Sequence, residues 1–499
     1  MKTKTREEIA DDLIKLEKEI KKRDVLVFDD DWLHFFEKWR KEKNKYQDLN
    51  IEEVEFEIKR IHSDNKDDLV CRKRMGFTPK TILNGTINWF SVKDLSNIKG
   101  LFIIYPDTIK KTTMDLIKQA VDKKNTGKSE KLIPIKKGDV LVSFKLSVGI
   151  VKIYNSDEIA YCNEAIDILT PKENIYNKYL AYNCMTEYLQ YGTQTNNGLT
   201  LNDDDKKKIK IYIPKPYKTY SSYDIQKILV EFLEDNKNTS DKYRKKLDSV
   251  DKDIKEMEDN LIPAIFSKND DYIKKMWIKW NTDPVEPRKK EDMVDFTLED
   301  IEFEEKKIDE FVNSKGGSSK YNKKYYQDEN NFGDYPLMTG SLNIVGYIKP
   351  ISQDDIIKEE SISYNKDNDG GSKAFYHNKP YIVGGHHYAL LIKDKYKKDI
   401  NIKYFYYIMM EFFNKNKFYQ SKQPVANIGI IKEKNIKIPK PIKTKTKEYS
   451  SYEVQKAIVS FIDRFYRWKA TIKSVMSKMR EILDEMDEGF LYKTFKGRE

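Results

Sequence analysis

YSSYDIQKILVEFL at residues 220–233 and YSSYEVQKAIVSFI at residues 449–462 are one segment written twice, 229 positions apart, with 8 of 14 residues identical. The same offset carries Phe266 onto Phe495 without a gap. Beyond the first opening, Tyr243, Leu247, Val250, Ile254, Met257 and Leu261 step by 4, 3, 4, 3 and 4. Their counterparts Ile472, Met476, Met479, Leu483, Met486 and Phe490 are apolar at the same steps. Alternating steps of three and four lay one apolar seam along a long helix, the pattern of a coiled coil. A run of this length predicts a helix of roughly 60 Å. One such helix cannot bury its seam alone, so the two are expected to pack on each other, antiparallel because a globular segment separates them.

Each copy has the same lead-in. IPKP ends the alternating run KIKIYIPKP (208–216) and again KNIKIPKP (434–441), and both runs read as strands. Proline cannot donate to a ladder, so each strand stops there, and the YSS serines that follow are N-cap candidates. Further upstream, IEEVEFEIKRI (51–61) resembles LEDIEFEEKKI (298–308). The duplication therefore includes the start of each unit, whereas the strand-rich middles share few residues. A repeated scaffold with unrelated inserts implies two sites doing one kind of task on different targets.

The expected organisation is α+β, with two strand-rich domains in pseudo-symmetric tandem and two long helices packed as an antiparallel coiled coil. Residues 1–50 form an N-terminal helical extension, 51–219 a first domain and 220–266 a central spacer helix. Residues 267–293 form a connector, 294–446 a second domain and 447–499 a C-terminal spacer helix. In the extension, Ile9, Leu13, Leu16 and Ile20 fall on one helical face, and DWLHFFEKWRKEK supplies an aromatic second segment. It reads as a hairpin packed on its neighbour, or as a docking arm, without a counterpart in the second half.

Composition narrows the class. A net charge of +10 makes nucleic acid a reasonable partner. Cys71, Cys162 and Cys184 are too scattered for a disulfide framework or a zinc site, which fits a reducing cytoplasm. No apolar run approaches a membrane span, so a cytoplasmic protein with no membrane partner is expected. No NPPY or DPPY tetrapeptide, FxGxG loop, GxxxxGK[ST] or HExxH motif occurs. The histidines His34, His62, His377, His386 and His387 have no ligand spacing beyond the adjacent pair, whose members should point to opposite faces of a strand. Asn202–Asp205 in LNDDDKKK reads as a helix N-cap rather than an acid/base cluster. Neither a catalytic site nor a metal site is expected.

The paired IPKP-plus-long-helix units, with TP…NGTINWFSVKDL in the first and YPLMTGS…VGYI in the second, resemble the DNA-specificity (S) subunit of type I restriction–modification systems over residues 51–499. The 1–50 extension departs from the simplest family pattern and leaves the subfamily open. The resemblance implies two target-recognition domains, each reading one half of a bipartite double-stranded DNA target. It implies two methyltransferase subunits docked on the helices, S-adenosylmethionine bound by that partner and none by this chain, and a restriction/translocase subunit able to join. The chain itself would catalyse nothing. Other readings are a specificity subunit of a type IIB-like enzyme, a nuclease using acidic residues, and a coiled-coil scaffold that binds only proteins.

DNA contacts require Arg or Lys for guanine, Asn or Gln for adenine, and basic or hydroxyl groups for phosphate. Polar residues in the loops that interrupt strands fit these needs. In the first domain they are Lys73, Arg74, Thr78, Lys80, Lys145, Gln194, Thr195 and Asn197; in the second, Thr339, Ser341, Asn365, Lys366, Ser372, Lys373, Gln423 and Asn427. Gly370 and Gly371 would allow a tight turn or close backbone approach to phosphate.

Overall fold

The computed structural model describes the chain except residues 1–5, 29–31, 62–69, 74–78, 81–84, 105–110, 124–132, 196–197, 283–292, 341–342, 367–372, 416–418, 421–422, 425 and 496–499. The fold is α+β, with two compact units that are each discontinuous in sequence. The first comprises Asp12–Leu247 with Met476–Glu499, and the second comprises Asp248–Val475 with Met1–Asp11. The framing helices are α1 (Arg6–Phe28), α2 (Trp32–Lys43), α3 (Asn177–Gln190), α4 (Asp203–Lys206), α5 (Ser222–Ser267), α6 (Asp271–Thr282), α7 (Ile402–Lys415), α8 (Ile428–Lys432) and α9 (Ser451–Phe495).

The long helices α5 and α9 belong to both units. In the first unit, Phe232 meets Phe490 with ring centroids 5.9 Å apart, and Arg244 reaches Asp484 at 2.7 Å and Asp487 at 2.9 Å. In the second, Asp251 pairs with Lys473 at 3.4 Å and Glu258 with Lys469 at 2.5 Å. Rising numbers on α5 meet falling numbers on α9 in both cases, so the pairing within each unit is antiparallel. Of the twelve seam positions, Leu247, Val250, Ile254, Met257, Leu261, Met476, Met479, Leu483, Met486 and Phe490 are buried, while Tyr243 and Ile472 are half-buried. Burying one such side chain is worth roughly 1.5–3 kcal/mol. The spacer helices are consequently not bodies of their own: burying the seam draws each half-helix into the core of a unit.

A common frame encloses each strand-rich part. Strand β1 (Phe56–Arg60) pairs antiparallel with β10 (Lys210–Pro214), and β11 (Phe303–Lys307) pairs in the same way with β20 (Asn435–Pro439). The duplicated glutamine has the same task twice. Gln226 accepts from the Tyr176 amide at 2.9 Å and donates to the Asn174 carbonyl at 3.0 Å and to Ser222 Oγ at 3.2 Å. Gln455 accepts from Asn401 N at 2.9 Å and donates to Asp399 O at 2.7 Å and Ser451 Oγ at 3.1 Å. Both side chains are fully buried, and each fastens the start of α3 or α7 to a long helix. One turn on, Lys178 pairs with Glu234 at 2.7 Å, and Lys403 pairs with Asp463 at 2.6 Å.

Two expectations are corrected here. Residues 1–50 do have a counterpart, and the 267–293 connector contains the part of it that matches α2. In the first unit, Phe232 lies against Trp32, Phe36 and Trp39 of α2, at centroid distances of 5.7, 5.1 and 5.3 Å. In the second, the equivalent Phe461 lies against Trp277 and Trp280 of α6, at 5.1 and 5.0 Å. Phe36 and Trp39 map onto Trp277 and Trp280 by an offset of 241, and that offset carries Ile9, Leu13, Leu16 and Ile20 onto Val250, Ile254, Met257 and Leu261. Thus α1 repeats the distal seam of α5, and all eight of these seam residues are buried.

Between the frame strands, the first unit holds β2 (Val70–Lys73), β3 (Phe102–Ile103), β4 (Val140–Ser143), β5 (Lys145–Leu146), β6 (Val151–Tyr154), β7 (Ile166–Pro171), β8 (Thr193–Thr195) and β9 (Gly198–Thr200). They form a five-stranded sheet ordered β2-β7-β4-β6-β3 and a three-stranded sheet ordered β8-β9-β5. Phe90, Leu95, Ile103, Leu141, Tyr154, Ile166 and Ile168 form its core. The second unit holds β12 (Val312–Gly316), β13 (Phe332–Met338), β14 (Gly346–Ile348), β15 (Ile356–Ile357), β16 (Ser361–Asn365), β17 (Ala374–His377), β18 (Tyr381–Val383) and β19 (His387–Ile392). Its two four-stranded sheets are ordered β12-β19-β16-β17 and β14-β13-β18-β15.

Candidate nucleic-acid interface

In the first unit the chain passes from one sheet to the other at Phe144. Its amide donates to Ala165 O at 3.0 Å, and its carbonyl accepts from Leu201 N at 2.9 Å. Lys145 follows at once, half-buried, and pairs with Thr200 of β9, which in turn pairs with Thr193 of β8. Gln194 and Thr195 continue β8, opposite Leu199 and Gly198. The fold therefore brings Lys145, Gln194 and Thr195 into one small sheet, although 49 positions separate the first two. Lys73 ends β2, opposite Ile168 of the larger sheet. Lys80 is exposed, and its carbonyl accepts from Thr112 Oγ1 at 2.8 Å. Arg74, Thr78 and Asn197 lie outside the described residues.

The second unit has an equivalent junction at Lys366. Its amide donates to His386 O and its carbonyl accepts from Ala426 N, both at 2.8 Å. Asn427, exposed, caps α8 by accepting from Gly429 N at 3.0 Å, as Asn202 caps α4 by accepting from Asp205 N at 2.7 Å. Asn365 is not the loop residue expected. It closes strand β16, is fully buried, and accepts from the Lys373 amide at 2.6 Å. Lys373 is exposed and Thr339 half-buried, while Gln423 belongs to a two-residue strand. Asn365, Lys366, Lys373 and Asn427 thus gather around one junction. Ser341, Gly370, Gly371 and Ser372 lie outside the described residues.

Sequence reading missed a buried polar network beside this junction. His386 is exposed, with a left-handed backbone (φ 66°), and His387 starts β19 buried, so the adjacent pair does split. His387 Nδ1 donates to the Thr339 carbonyl, which leaves Nε2 as an acceptor 3.1 Å from Ser363 Oγ. Ser363 Oγ lies 2.8 Å from His377 Nε2, so the chain of donors runs from His377 through Ser363 to His387 with both rings neutral. His377 also stacks on Tyr381 at 3.7 Å. Burial pushes both imidazoles down to about 4. The Ser363 hydroxyl is completely buried, so this cluster packs the sheet. Gly317 and Gly384 let two backbones cross beside it, because a Cβ on Gly317 would sit 1.7 Å from Gly384 O.

Among the described residues no group of three or more His, Cys, Asp or Glu side chains is placed to hold a metal ion. No described helix is long and apolar enough to cross a membrane. Cys162 and Cys184 are buried, and burial pushes both thiols well up.

The model of the type I restriction modification DNA specificity domain matches twice, over residues 68–252 and 300–477, which together exceed half of the chain. Among solved structures, the chain is similar to a type I restriction-modification S subunit from M. genitalium. That likeness has 15% identity, covers 88% of this chain and 98% of that one, and has a TM-score of 0.33. A second similar structure is the HsdS subunit from Thermoanaerobacter tengcongensis, with 14% identity, coverage of 73% and 82%, and a TM-score of 0.40. A third is a chain from a structural account of assembly and conformational transition of the type I R-M system, with 13% identity, coverage of 72% and 82%, and a TM-score of 0.49. No curated protein matches the chain.

Proposed function

Because the chain belongs to the type I restriction modification DNA specificity family, we propose that it selects the DNA target of a methyltransferase complex, each unit reading one half of a bipartite site. One observation carries this reading: two identical frames, each closed by a ladder, a glutamine clamp and a long helix, enclose strand-rich parts of different sheet order. Matching frames with different contents suit two recognition surfaces of one kind with separate sequence preferences. Lys145 and the neighbouring β8–β9 hairpin in the first unit, and Lys366, Lys373 and Asn427 in the second, supply the basic and amide groups that groove and phosphate contacts need. Methyl transfer would fall to two partner subunits that dock on the long helices and bind S-adenosylmethionine. This chain contributes binding and orientation.

Co-expression of the full chain with its methyltransferase partner, followed by sequencing of host DNA for modified bases, tests the proposal. The expected result is methylation at one gapped, two-part motif. A stable complex that leaves no motif would sink it and favour the protein scaffold.

A further inference from the structure

LNDDDKKK (201–208) looks like a solvated lysine run, yet its middle is buried. Lys206 has no exposed surface, and its Nζ lies 2.8 Å from a carboxylate oxygen of Asp167, which is also fully buried. The same ammonium sits over the Phe144 ring, 3.0 Å from its centroid. Lys145 Nζ lies 5.7 Å from that centroid, so one ring is flanked by a buried cation and by the basic residue that opens the β8-β9-β5 sheet. Phe144 is itself the junction, hydrogen-bonded to Ala165 and to Leu201. The ion pair therefore holds the point from which β5 leaves and to which β9 returns.

The second unit shows that the frame does not need this pair. Its α8 starts from the same asparagine cap, and the position equivalent to Lys206 is Ile431, also fully buried. The position equivalent to Asp167, one residue into the matching strand, is Tyr388, stacked on Tyr364 at 5.6 Å. A buried isoleucine and a half-buried tyrosine thus stand at the equivalent positions, without an ion pair. A buried ion pair is a weak source of stability, since well-packed apolar residues of similar volume often do as well or better. What an ion pair adds is direction: a buried ammonium has a low-energy place only opposite its carboxylate.

Resting on the recognition reading above, we infer that Lys206 and Asp167 are positioning residues for DNA reading by the first unit. They fix Phe144, and through it the register of the Lys145–Thr200 sheet, against the DNA half-site. Neither residue touches DNA. The test uses the full chain co-expressed with its methyltransferase partner, comparing wild type, Asp167→Leu/Lys206→Met and Asp167→Asn for methylated motifs and for thermal melting of the purified complex.

The expected result for the double variant is an unchanged melting temperature with relaxed discrimination at one half-site, on the order of tenfold per base position, and an unaltered other half. Asp167→Asn leaves the buried ammonium only the exposed Asp203 carboxylate, 4.0 Å away, so it is expected to lower the melting temperature as well. Unchanged discrimination at both half-sites in the double variant would overturn the inference. Equal weakening of both halves, or failure to recover a folded complex, would assign the pair to folding and overturn it too. Absence of a two-part motif in the wild type would remove the recognition reading itself, and the inference with it.

Discussion

Replacing Gln226 by alanine removes a side chain that serves two backbone groups at once. The amide of half-buried Tyr176 loses its 2.9 Å acceptor and the carbonyl of exposed Asn174 its 3.0 Å donor. A buried polar group left unpaired costs about 1–3 kcal/mol, and water can take the place of the donor to exposed Asn174, so the loss is on the order of 1–3 kcal/mol. That loss should be local, because the clamp fastens the start of α3 and nothing in the second unit. Native-state hydrogen exchange reads local opening directly. Amides of α3 should lose protection by roughly five- to 150-fold, at about 1.4 kcal/mol per factor of ten, while those of α7 keep theirs. Gln455→Ala should give the mirror result through Asn401 and Asp399. Equal loss of protection in α3 and α7 from either single variant, or less than a threefold change in both, would refute the idea that the glutamine is a local clamp.

Other expectations follow from the same geometry. Phe232→Ala and Phe461→Ala each empty an aromatic nest and should cost about 3–5 kcal/mol in the unit concerned, measured by chemical denaturation with a probe in each unit. Arg244→Ala removes contacts to Asp484 and Asp487 from a partly exposed site. Its cost should be about 1 kcal/mol or less and shrink further in high salt. His377 and His387 have pKa values lowered to about 4 against an ordinary value near 6.5. Between those values the unfolded chain binds more protons than the folded one, so this stability is complete above pH 6.5 and lost as pH falls towards 4. The loss should reach about 3 kcal/mol for a ring titrating alone, seen in urea midpoints of the second unit, and a His377→Gln/His387→Gln variant should lack the slope. Binding of the chain to mixed-sequence duplex, followed by fluorescence anisotropy, should weaken steeply as salt rises; salt-independent binding would contradict phosphate contacts.

Much of the frame was legible because its signals are local and periodic. The seam, the IPKP strands and their partners at residues 51–61 and 298–308 are short patterns whose physics needs no partner to recognise. The equivalence of α2 with α6 was not legible. It keeps aromatic bulk rather than residue identity, as in Phe36 against Trp277, and it runs at 241 rather than 229. The candidate interface divided similarly. Lys145, Gln194 and Thr195 were named as residue types, but only the pairing of β9 with both β5 and β8 places them together. Asn365 went astray and Lys206 went unremarked for one reason: composition reports polarity, whereas burial depends on which strand passes overhead. A lysine run of three offers nothing local to mark the one that turns inwards.

The division of both long helices between units has a consequence for biosynthesis. The first unit includes Asp12–Leu247 but is closed by Met476–Glu499, so 228 residues separate the end of its main part from the start of its last piece. At about 5–20 residues per second, the ribosome takes roughly 10–45 s to deliver that piece. For that interval Phe232 and Leu247 wait without Phe490 and its neighbours on α9, while the whole second unit is being made. Helix α9 therefore completes a unit whose strand β1 left the ribosome before Asp248–Val475 was made, and a chain stalled near Val475 would carry the first ladder with an open seam.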